Sequence, residues 1–305
     1  MGPGERKRSR SPPDPPHGRE PHQGALPNHR PVREPSWQHE HRLCRHFIDP
    51  DAHLSGCCCR RNHRRSHVIC NGVSADLQPL PRLRRKRRLD LPKFIGRFSE
   101  GVAEIDAQVE QYHRKWDTAN EAARRTTGPL WVALGDSSTQ GVGASAWEHG
   151  WTHTVLDRLR EATGESWRLI NLSMSGGRFL DVADRQIPVL NTMLDEPQLV
   201  TCVIGSNDLM WRRGVRGITT DADRAVDRIP PGAFVSKLNG PGPRPKMLNT
   251  IFERGAETRD HQLFNVWNWP SGRGALAADR VHPSDVGYQH MTELTWSALE
   301  ENLGL

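Results

Sequence analysis

From residue 128 onward, short apolar runs alternate with longer segments in which apolar residues recur every three or four positions. The five apolar runs are predicted strands: Leu130–Leu134, Trp167–Leu172, Leu199–Ile204, Ala233–Leu238 and Leu263–Trp267. The other segments are predicted helices: Trp151–Ala162, Phe179–Leu194 with a disturbance at Pro188, Thr220–Ile229, Pro245–Glu257 and Ser284–Leu303. Strands that are apolar on both faces, alternating with helices, are typical of a parallel sheet covered on both sides. Residues 128–305 are therefore predicted to form an α/β domain, a three-layer α/β/α sandwich with a five-stranded parallel sheet.

A further amphipathic helix is predicted upstream of the first strand, over residues 93–127. Its apolar residues recur at intervals of three and four and form one stripe: Phe94, Phe98, Val102, Ile105, Val109 and Tyr112. An apolar stripe of this kind is stable only when another surface covers it. We therefore expect this helix to pack on the domain that follows it, or to pair with a partner.

Residues 1–92 differ in composition and are predicted to be a disordered, basic tail rich in Pro, Arg and His. They contain 13 of the 23 prolines, and residues 1–88 carry 19 Lys and Arg against 8 Asp and Glu. Residues 89–305 carry 23 against 28, so the net charge of +6 comes from the tail. A segment with so few apolar residues cannot offset its chain entropy by burial.

Two features of the tail allow more specific interpretations. The basic run Arg82–Arg88 could contact nucleic acid through its charge, but it lacks interleaved aromatic residues, and we expect a solvated charge run. Four possible zinc ligands lie close together in the sequence: Cys57, His63, His67 and Cys70. Their spacing matches no known zinc module and little apolar sequence surrounds them, so we expect no metal site there.

The composition also excludes several classes of protein. No apolar run approaches the ~18 residues of a membrane-spanning helix, and no apolar segment of ~7–15 residues follows the basic N-terminus as in a secretory signal. Five of the six cysteines lie in the tail, and the predicted domain contains only Cys202, so the domain cannot form an internal disulfide. We expect no membrane span and a cytoplasmic location.

Ser137 follows the first predicted strand within the sequence Gly-Asp-Ser-Ser. A serine hydroxyl is a weak nucleophile until a neighbouring base takes its proton. His282, far downstream in the segment Asp279–Pro283, is a candidate for that base. Asp279, three residues earlier, could hold the tautomer of the imidazole and stabilise its charged form. These three side chains form a candidate catalytic triad.

Acyl transfer also needs hydrogen-bond donors for a developing oxyanion. The backbone N–H of Ser137, an N–H at Gly176 and the side-chain amide of Asn207 are suitable donors. Glycine lets the backbone approach a substrate closely, and asparagine donates without adding a titrating charge. All three positions follow predicted strands, and in parallel sheets sites form beyond the C-terminal ends of the strands.

Four short blocks carry these residues, and together they resemble the SGNH hydrolases, the GDSL esterase/lipase family. The blocks are Gly135–Ser138 (GDSS), Asn171–Gly176 (NLSMSG), Gly205–Asp208 (GSND) and Asp279–Pro283 (DRVHP). One block alone would be a weak signal, but structural turns have no reason to recur in this order along a chain. The resemblance covers about Leu130–Leu305 and does not extend to residues 1–92.

The resemblance implies a flavodoxin-like fold, without a metal or another cofactor. Ser138 stands where the family name has Leu, which is a tolerated position, and the adjacent Gly177 remains an alternative to Gly176 as the glycine donor. The implied functional residues are a catalytic triad of Ser137, Asp279 and His282 and an oxyanion hole of Ser137, Gly176 and Asn207.

The sequence thus predicts a serine esterase that cleaves a small-molecule carboxylic ester through an acyl-enzyme. We expect short acyl chains, because no long apolar insertion is present to form a lipid-binding lid. An acyltransferase or a carbohydrate deacetylase on the same scaffold is an alternative. A nucleic-acid-binding or scaffold protein acting through the basic tail is another, although we expect no nucleic-acid partner for the domain. The sequence leaves the oligomeric state open.

Overall fold

The computed structural model describes residues 79–83, 100–210, 214–269 and 274–305. Several features of the sequence lie outside these ranges: the predicted tail apart from residues 79–83, the cysteine and histidine cluster at 57–70, and Phe94 and Phe98 of the predicted stripe. The disordered tail and its boundary at residue 92 therefore stay predictions.

Five parallel strands form one sheet in the order β2-β1-β3-β4-β5. The strands are β1 (Leu130–Gly135), β2 (Arg168–Asn171), β3 (Leu199–Val203), β4 (Phe234–Ser236) and β5 (Gln262–Phe264). β1 is buried along its whole length, and its Val132 is paired with Ile170 of β2 and with Val200 of β3. This order is that of the flavodoxin-like sheets, so the predicted fold class is confirmed.

Helices cover both faces of the sheet. They are α1 (Glu100–Ala123), α2 (Trp151–Thr163), α3 (Phe179–Asp181 and Ile187–Leu190, joined by the π-helical turn Val182–Gln186), α4 (Ser206–Met210), α5 (Val215–Val226), α6 (Pro243–Arg259) and α7 (Asp285–Leu303). On one face, Val132 and Leu134 share a core with α3, α5 and α6; on the other, Trp131 and Ala133 share a core with α1, α2 and α7. Successive strand residues point to opposite faces, so the uniformly apolar run of β1 supplies both cores.

The observed elements differ from the predicted ones mainly at their ends. β4 and β5 are each three residues long and therefore shorter than predicted, and α5 begins at Val215 rather than at Thr220. The disturbance predicted at Pro188 takes the form of the π-helical turn that comes directly before it. Because proline has no N–H to donate to the preceding turn, the regular helical ladder is interrupted there.

α1 occupies most of the predicted upstream helix and packs on the domain, with Ile105 and Tyr112 buried. Of the residues predicted as tail, the described stretch 79–83 lies against the same helix. The Leu80 N–H donates to the Glu121 carboxylate at 3.1 Å, and the Leu80 side chain packs on the core. Within the described ranges, no helix combines the length and the apolar character that crossing a membrane requires.

Candidate active site

The candidate nucleophile lies on a turn that follows the central strand, residues 136–144, here named the nucleophile turn. The Asp136 carboxylate accepts hydrogen bonds from the N–H of Ser138 at 2.9 Å and from its hydroxyl at 2.7 Å. Gly135 has a φ of +154°, and a Cβ there would lie 2.5 Å from the Val203 carbonyl oxygen. Only glycine therefore lets the strand turn this closely beside β3, which holds Ser137 at the edge of the sheet.

The candidate base and its carboxylate share a second turn, residues 277–283, here named the base turn, directly before α7. The N–H of its first residue donates to the His282 carbonyl at 2.8 Å. The Asp279 carboxylate accepts the N–H of Val281 and the N–H of His282, both at 3.0 Å. Arg280 between them has a φ of +57°, a left-handed conformation that costs a non-glycine residue free energy.

The fold brings the two turns together and aligns three side chains. His282 Nε2 lies 2.9 Å from Ser137 Oγ, and His282 Nδ1 lies 2.6 Å from Asp279 Oδ2. An ionised carboxylate can only accept, so Nδ1 carries the proton of the neutral ring, and the Nε2 lone pair accepts the Ser137 hydroxyl. Distance and tautomer together allow the imidazole to take the proton of that hydroxyl.

The electrostatics of the two nearby carboxyl groups differ. Burial by itself raises the pKa of Asp279, but the hydrogen bond from His282, the charge of His282 and two backbone N–H groups outweigh it and lower the pKa below its usual value. For Asp136 burial dominates and raises the pKa, against the hydrogen bonds from Ser138. The carboxyl group that contacts the imidazole is thus the one whose ionised form is favoured, as a partner of an imidazolium must be.

Of the predicted oxyanion donors, Ser137 lies in the nucleophile turn and Asn207 lies against it. Among the described residues, the N–H of Ser137 has no hydrogen-bond acceptor. The Asn207 amide donates to Asp136 Oδ2 at 3.2 Å and to the Gly177 carbonyl at 3.0 Å. The third sequence block therefore contacts the first block and the residue that directly follows the second, at the switch point where β1 and β3 are neighbours.

The glycine pair of the second block is distinguished by its backbone contacts. The N–H of Gly177 donates to the Met174 carbonyl at 2.7 Å, and a Cβ on Gly177 would lie 3.0 Å from the Gly135 carbonyl oxygen. Gly176 has a φ of +69°, in the region that favours glycine. Gly177 is therefore engaged in the turn and packed against the end of β1.

Sequence reasoning missed Gln186, which holds the end of the central strand. This side chain is fully buried in the π-helical turn of α3; its oxygen accepts the Gly135 N–H at 2.9 Å and its nitrogen donates to the Gly135 carbonyl at 2.8 Å. Asp208, in the third block, accepts the N–H of Phe179 at 3.1 Å and joins α4 to the start of α3. The only signal for Gln186 in the sequence was a polar residue within the apolar part of a predicted helix.

A second cluster of serine, histidine and aspartate lies at the surface, beside a cavity of about 320 Å³ between α1 and the base turn. His149 Nδ1 is 3.0 Å from Ser145 Oγ and 3.2 Å from Asp285 Oδ2, and the Ser145 hydroxyl donates to Asp285 at 2.5 Å. A proton relay needs two different ring nitrogens, so this cluster is not a second triad. Within the described part of the chain, no group of three or more His, Cys, Asp or Glu is placed to hold a metal ion.

Several solved structures are similar to this chain. The chain is similar to the solved structure of TesA, with 19% identity over 56% of this chain and 98% of that one and a TM-score of 0.49. It is also similar to the psychrotrophic esterase EstA from Pseudoalteromonas sp., with 21% identity over 58% of this chain and 99% of that one and a TM-score of 0.49. A family 3 carbohydrate esterase of Clostridium thermocellum matches with 19% identity over 58% and 97% and a TM-score of 0.46. No curated protein matches the chain.

A separate comparison, with protein-family models, shows the family of this chain. The model of the GDSL-like Lipase/Acylhydrolase family matches residues 133–290, just over half of the chain. The match contains all four sequence blocks, from Gly135–Ser138 to Asp279–Pro283. The chain therefore belongs to the GDSL-like lipase/acylhydrolase family of hydrolases.

Proposed function

We propose that this hydrolase is a serine esterase that cleaves carboxylic esters through an acyl-enzyme. The observation that carries the proposal is the continuous set of contacts from Ser137 Oγ to His282 Nε2 at 2.9 Å and from His282 Nδ1 to Asp279 Oδ2 at 2.6 Å. A nucleophile within hydrogen-bond reach of a base, itself oriented by a third group, is the arrangement that covalent acyl transfer requires.

In the acylation step, Ser137 Oγ attacks the carbonyl carbon of the ester while His282 Nε2 accepts the hydroxyl proton. The resulting imidazolium is stabilised by the ionised Asp279 at Nδ1. The tetrahedral intermediate then collapses, the bond to the alcohol oxygen breaks, and His282 returns its proton to that oxygen. A water molecule repeats the sequence on the acyl-enzyme, which releases the carboxylic acid and restores the Ser137 hydroxyl.

The negative oxygen of the intermediate would lie among the N–H of Ser137, the N–H of Gly176 and the amide of Asn207. The Ser137 N–H lacks a protein acceptor among the described residues, which suits this role. We choose Gly176 over Gly177 because its five-residue offset from Asn171 fits the second block. The Asn207 amide nitrogen lies 3.2 Å from Asp136 Oδ2. One of its hydrogens would then be shared between that carboxylate and the substrate oxygen.

We further propose that the preferred substrates carry short acyl chains and that water is the acceptor. The sequence has no long apolar insertion to cover a long chain. A series of p-nitrophenyl esters from acetate to laurate tests the first statement. Added alcohols and unacetylated sugars test the second, because product in which the acyl group has moved to a hydroxyl of the added acceptor would identify an acyltransferase.

The decisive experiment replaces Ser137 by Ala in the full chain and measures hydrolysis of p-nitrophenyl acetate and butyrate. We expect turnover to fall about 10⁶-fold. The three triad residues act as one unit, so removing the serine alone costs about as much rate as removing all three. Ser297→Ala on the exposed face of α7 is the matched control and should hydrolyse both esters at the wild-type rate. Full activity in Ser137→Ala, with an unchanged far-UV spectrum, would exclude the mechanism.

A further inference from the structure

α1 presents a ladder of hydrogen-bonding side chains to the active site. Gln108, Tyr112, Trp116 and Asn120 recur every four residues and so lie along one face of the helix. Tyr112, Trp116 and Asn120 are 3%, 3% and 8% exposed. The apolar stripe predicted from the sequence ends at Tyr112. In the structure, the helix face that contacts the domain continues to Asn120, and the polar groups of Trp116 and Asn120 have hydrogen-bond partners there.

The first three side chains of this ladder bind the backbone of the nucleophile turn. Gln108 accepts the Gly143 N–H at 2.9 Å and donates to the Ala144 carbonyl at 3.3 Å. The Tyr112 hydroxyl donates to the same Ala144 carbonyl at 3.0 Å. Trp116 Nε1 donates to the Gln140 carbonyl at 3.0 Å. Backbone groups that no secondary structure would satisfy are thus satisfied by the helix.

The fourth side chain binds the second block. Asn120 accepts the Asn171 N–H at 2.8 Å and donates to the Asn171 carbonyl at 2.9 Å, at the end of β2. The Asn171 side chain in turn donates to the Thr139 carbonyl at 2.8 Å, inside the nucleophile turn. α1 therefore contacts the nucleophile turn and the second block at once.

A side chain of α7 completes the set of contacts. The Tyr288 hydroxyl donates to the Val142 carbonyl at 2.6 Å. Burial raises the pKa of Tyr112 and raises that of Tyr288 well above its usual value, so both hydroxyls keep the proton that they donate. α1 thus donates hydrogen bonds to the carbonyls of residues 140 and 144, and α7 donates to the carbonyl of residue 142 between them.

The position of the nucleophile turn matters to both reacting side chains. The Val142 N–H donates to the Ser137 carbonyl at 3.1 Å, which couples the far end of the turn to the nucleophile. Gly143 packs directly on the base turn, since a Cβ there would lie 2.4 Å from the Pro283 carbonyl oxygen and 2.7 Å from His282 Cβ. A shift of Gly143 would therefore change the separation between Ser137 and His282.

Without side-chain partners, this turn would have considerable freedom. Gly141 and Gly143 have φ values of +84° and +103°, so the turn depends on glycines, which lose the most conformational entropy when they are ordered. The side chains that bind residues 143 and 144 come from outside the family match, which begins at residue 133, whereas α1 ends at Ala123.

We propose that α1 is a positioning element of the active site, in which Gln108, Tyr112 and Trp116 fix the nucleophile turn against the base turn. The inference rests on the proposed serine esterase mechanism. It differs from a purely structural role of α1, in which the helix would cover an apolar surface and the hydrogen bonds would not affect the rate of acylation.

The test removes the hydrogen bonds while keeping the volume of the side chains. Tyr112→Phe deletes one donor, and Gln108→Leu deletes one donor and one acceptor; the double variant Gln108→Leu/Tyr112→Phe deletes all three bonds to residues 143 and 144. Gln111→Leu makes the same chemical change on the exposed side of the helix and is the matched control. Each full-length variant is assayed well below its thermal midpoint.

We expect the burst rate of p-nitrophenol release to fall about 10- to 100-fold in the double variant, because a misplacement of about 1 Å costs about 10²-fold in rate. KM should change by less than about threefold, since the bonds hold the nucleophile and not the substrate. Hydrogen exchange of the Gly143 amide should accelerate in both Gln108→Leu variants. Tyr112→Phe alone, the mildest change, should show a smaller fall in the same direction, and Gln111→Leu should match the wild type.

Three outcomes would overturn the inference. Faster exchange at Gly143 with an unchanged burst rate would show that the restraint has no catalytic effect. Unchanged exchange would show that α1 does not hold the turn. A rise in KM at constant kcat would indicate a substrate-binding role instead. Ester hydrolysis that is wild-type in Ser137→Ala would overturn the proposed mechanism itself, and this result is separate from the exchange measurement.

Discussion

The two turns that form the candidate active site are held in place in opposite ways. The nucleophile turn is almost completely buried, and side chains from α1, α7 and the second block bind its backbone. The base turn is held mainly by its own hydrogen bonds, in which Asp279 accepts two N–H groups of the same turn. One turn is therefore positioned by the tertiary structure, and the other forms its geometry from seven consecutive residues.

Because of this difference, the residues that form the base turn lie together in one stretch of sequence, whereas Gly135–Ser138 alone does not reveal how its serine is held. This difference also separates the expected effects of substitutions. Changes in the two catalytic candidates of the base turn, Asp279 and His282, should affect catalysis with little change in stability, and changes behind the nucleophile turn should affect both. Substitutions in and around the two turns test this contrast.

Asp279→Asn should lower kcat by about 10⁴, because an amide can donate to Nδ1 and then stabilises the wrong tautomer of His282. The unfolding free energy should stay near that of the wild type, since the Asn oxygen can still accept the two N–H groups of the base turn. Steady-state kinetics and urea denaturation measure the two quantities. Asp285→Asn, in the neighbouring surface cluster, is the control, and a loss of less than about tenfold in Asp279→Asn would contradict the assignment.

Asn207→Ala should lower kcat by about 10²–10³, the usual effect of losing one oxyanion donor. KM for p-nitrophenyl butyrate should change little, because the interaction forms fully only in the transition state. Asn249→Ala removes an amide that bonds the Leu238 backbone twice and lies outside the proposed site. That control should lose stability but keep its kcat; an effect of Asn207→Ala confined to KM would argue against the oxyanion role.

His153 lies behind the nucleophile turn, stacked on Trp116 at a centroid distance of 4.6 Å. Burial lowers its pKa from 6.5 to about 4, although the charges of Glu148 and Asp157 act in the opposite direction. Between these two pH values the unfolded chain binds a proton that the folded chain does not. The free energy of unfolding should therefore fall as the pH is lowered through this range, by about 2–3 kcal/mol from this residue.

The variant that tests this is His153→Phe, which keeps a stacked ring and cannot titrate. Urea denaturation at several pH values should give a flatter dependence than in the wild type between pH 6.5 and 4. His149→Phe is the control, because the side chain of His149 is 55% exposed. Equal slopes in wild type and His153→Phe would contradict the expectation.

The smallest effect concerns the strained residue of the base turn. Arg280→Gly should raise the unfolding free energy by up to about 1 kcal/mol, because relief of the left-handed conformation slightly exceeds the extra entropy of an unfolded glycine. Asp260→Gly, at the C-terminal end of α6 with a φ of 58°, should give a similar gain. Ester hydrolysis should remain within about twofold of the wild type in both; a large loss in Arg280→Gly would show that the base turn needs this side chain.

Much of this fold and site could be predicted because the relevant signals are local. Apolar runs such as Leu199–Ile204 mark buried strands, and Ser284 marks the start of α7, where its hydroxyl accepts the N–H of Gly287. The Asp279 and His282 pairing needed only a spacing of three residues on a turn. By contrast, the π-helical turn in α3 and the role of Gln186 were not predicted, since Gln186 binds Gly135 across 51 positions of sequence.

The amino-acid sequence by itself determined the alternation of strands and helices, the composition that separates residues 1–92 from the domain, and the four blocks that point to acyl transfer. Only the tertiary structure decided that Ser137 and His282 meet across 145 positions and that α1 binds the nucleophile turn. The physical reason is that periodicity and turn chemistry act between neighbours in the chain. A hydrogen bond between distant residues forms only after two apolar faces have packed and fixed the direction of the side chains.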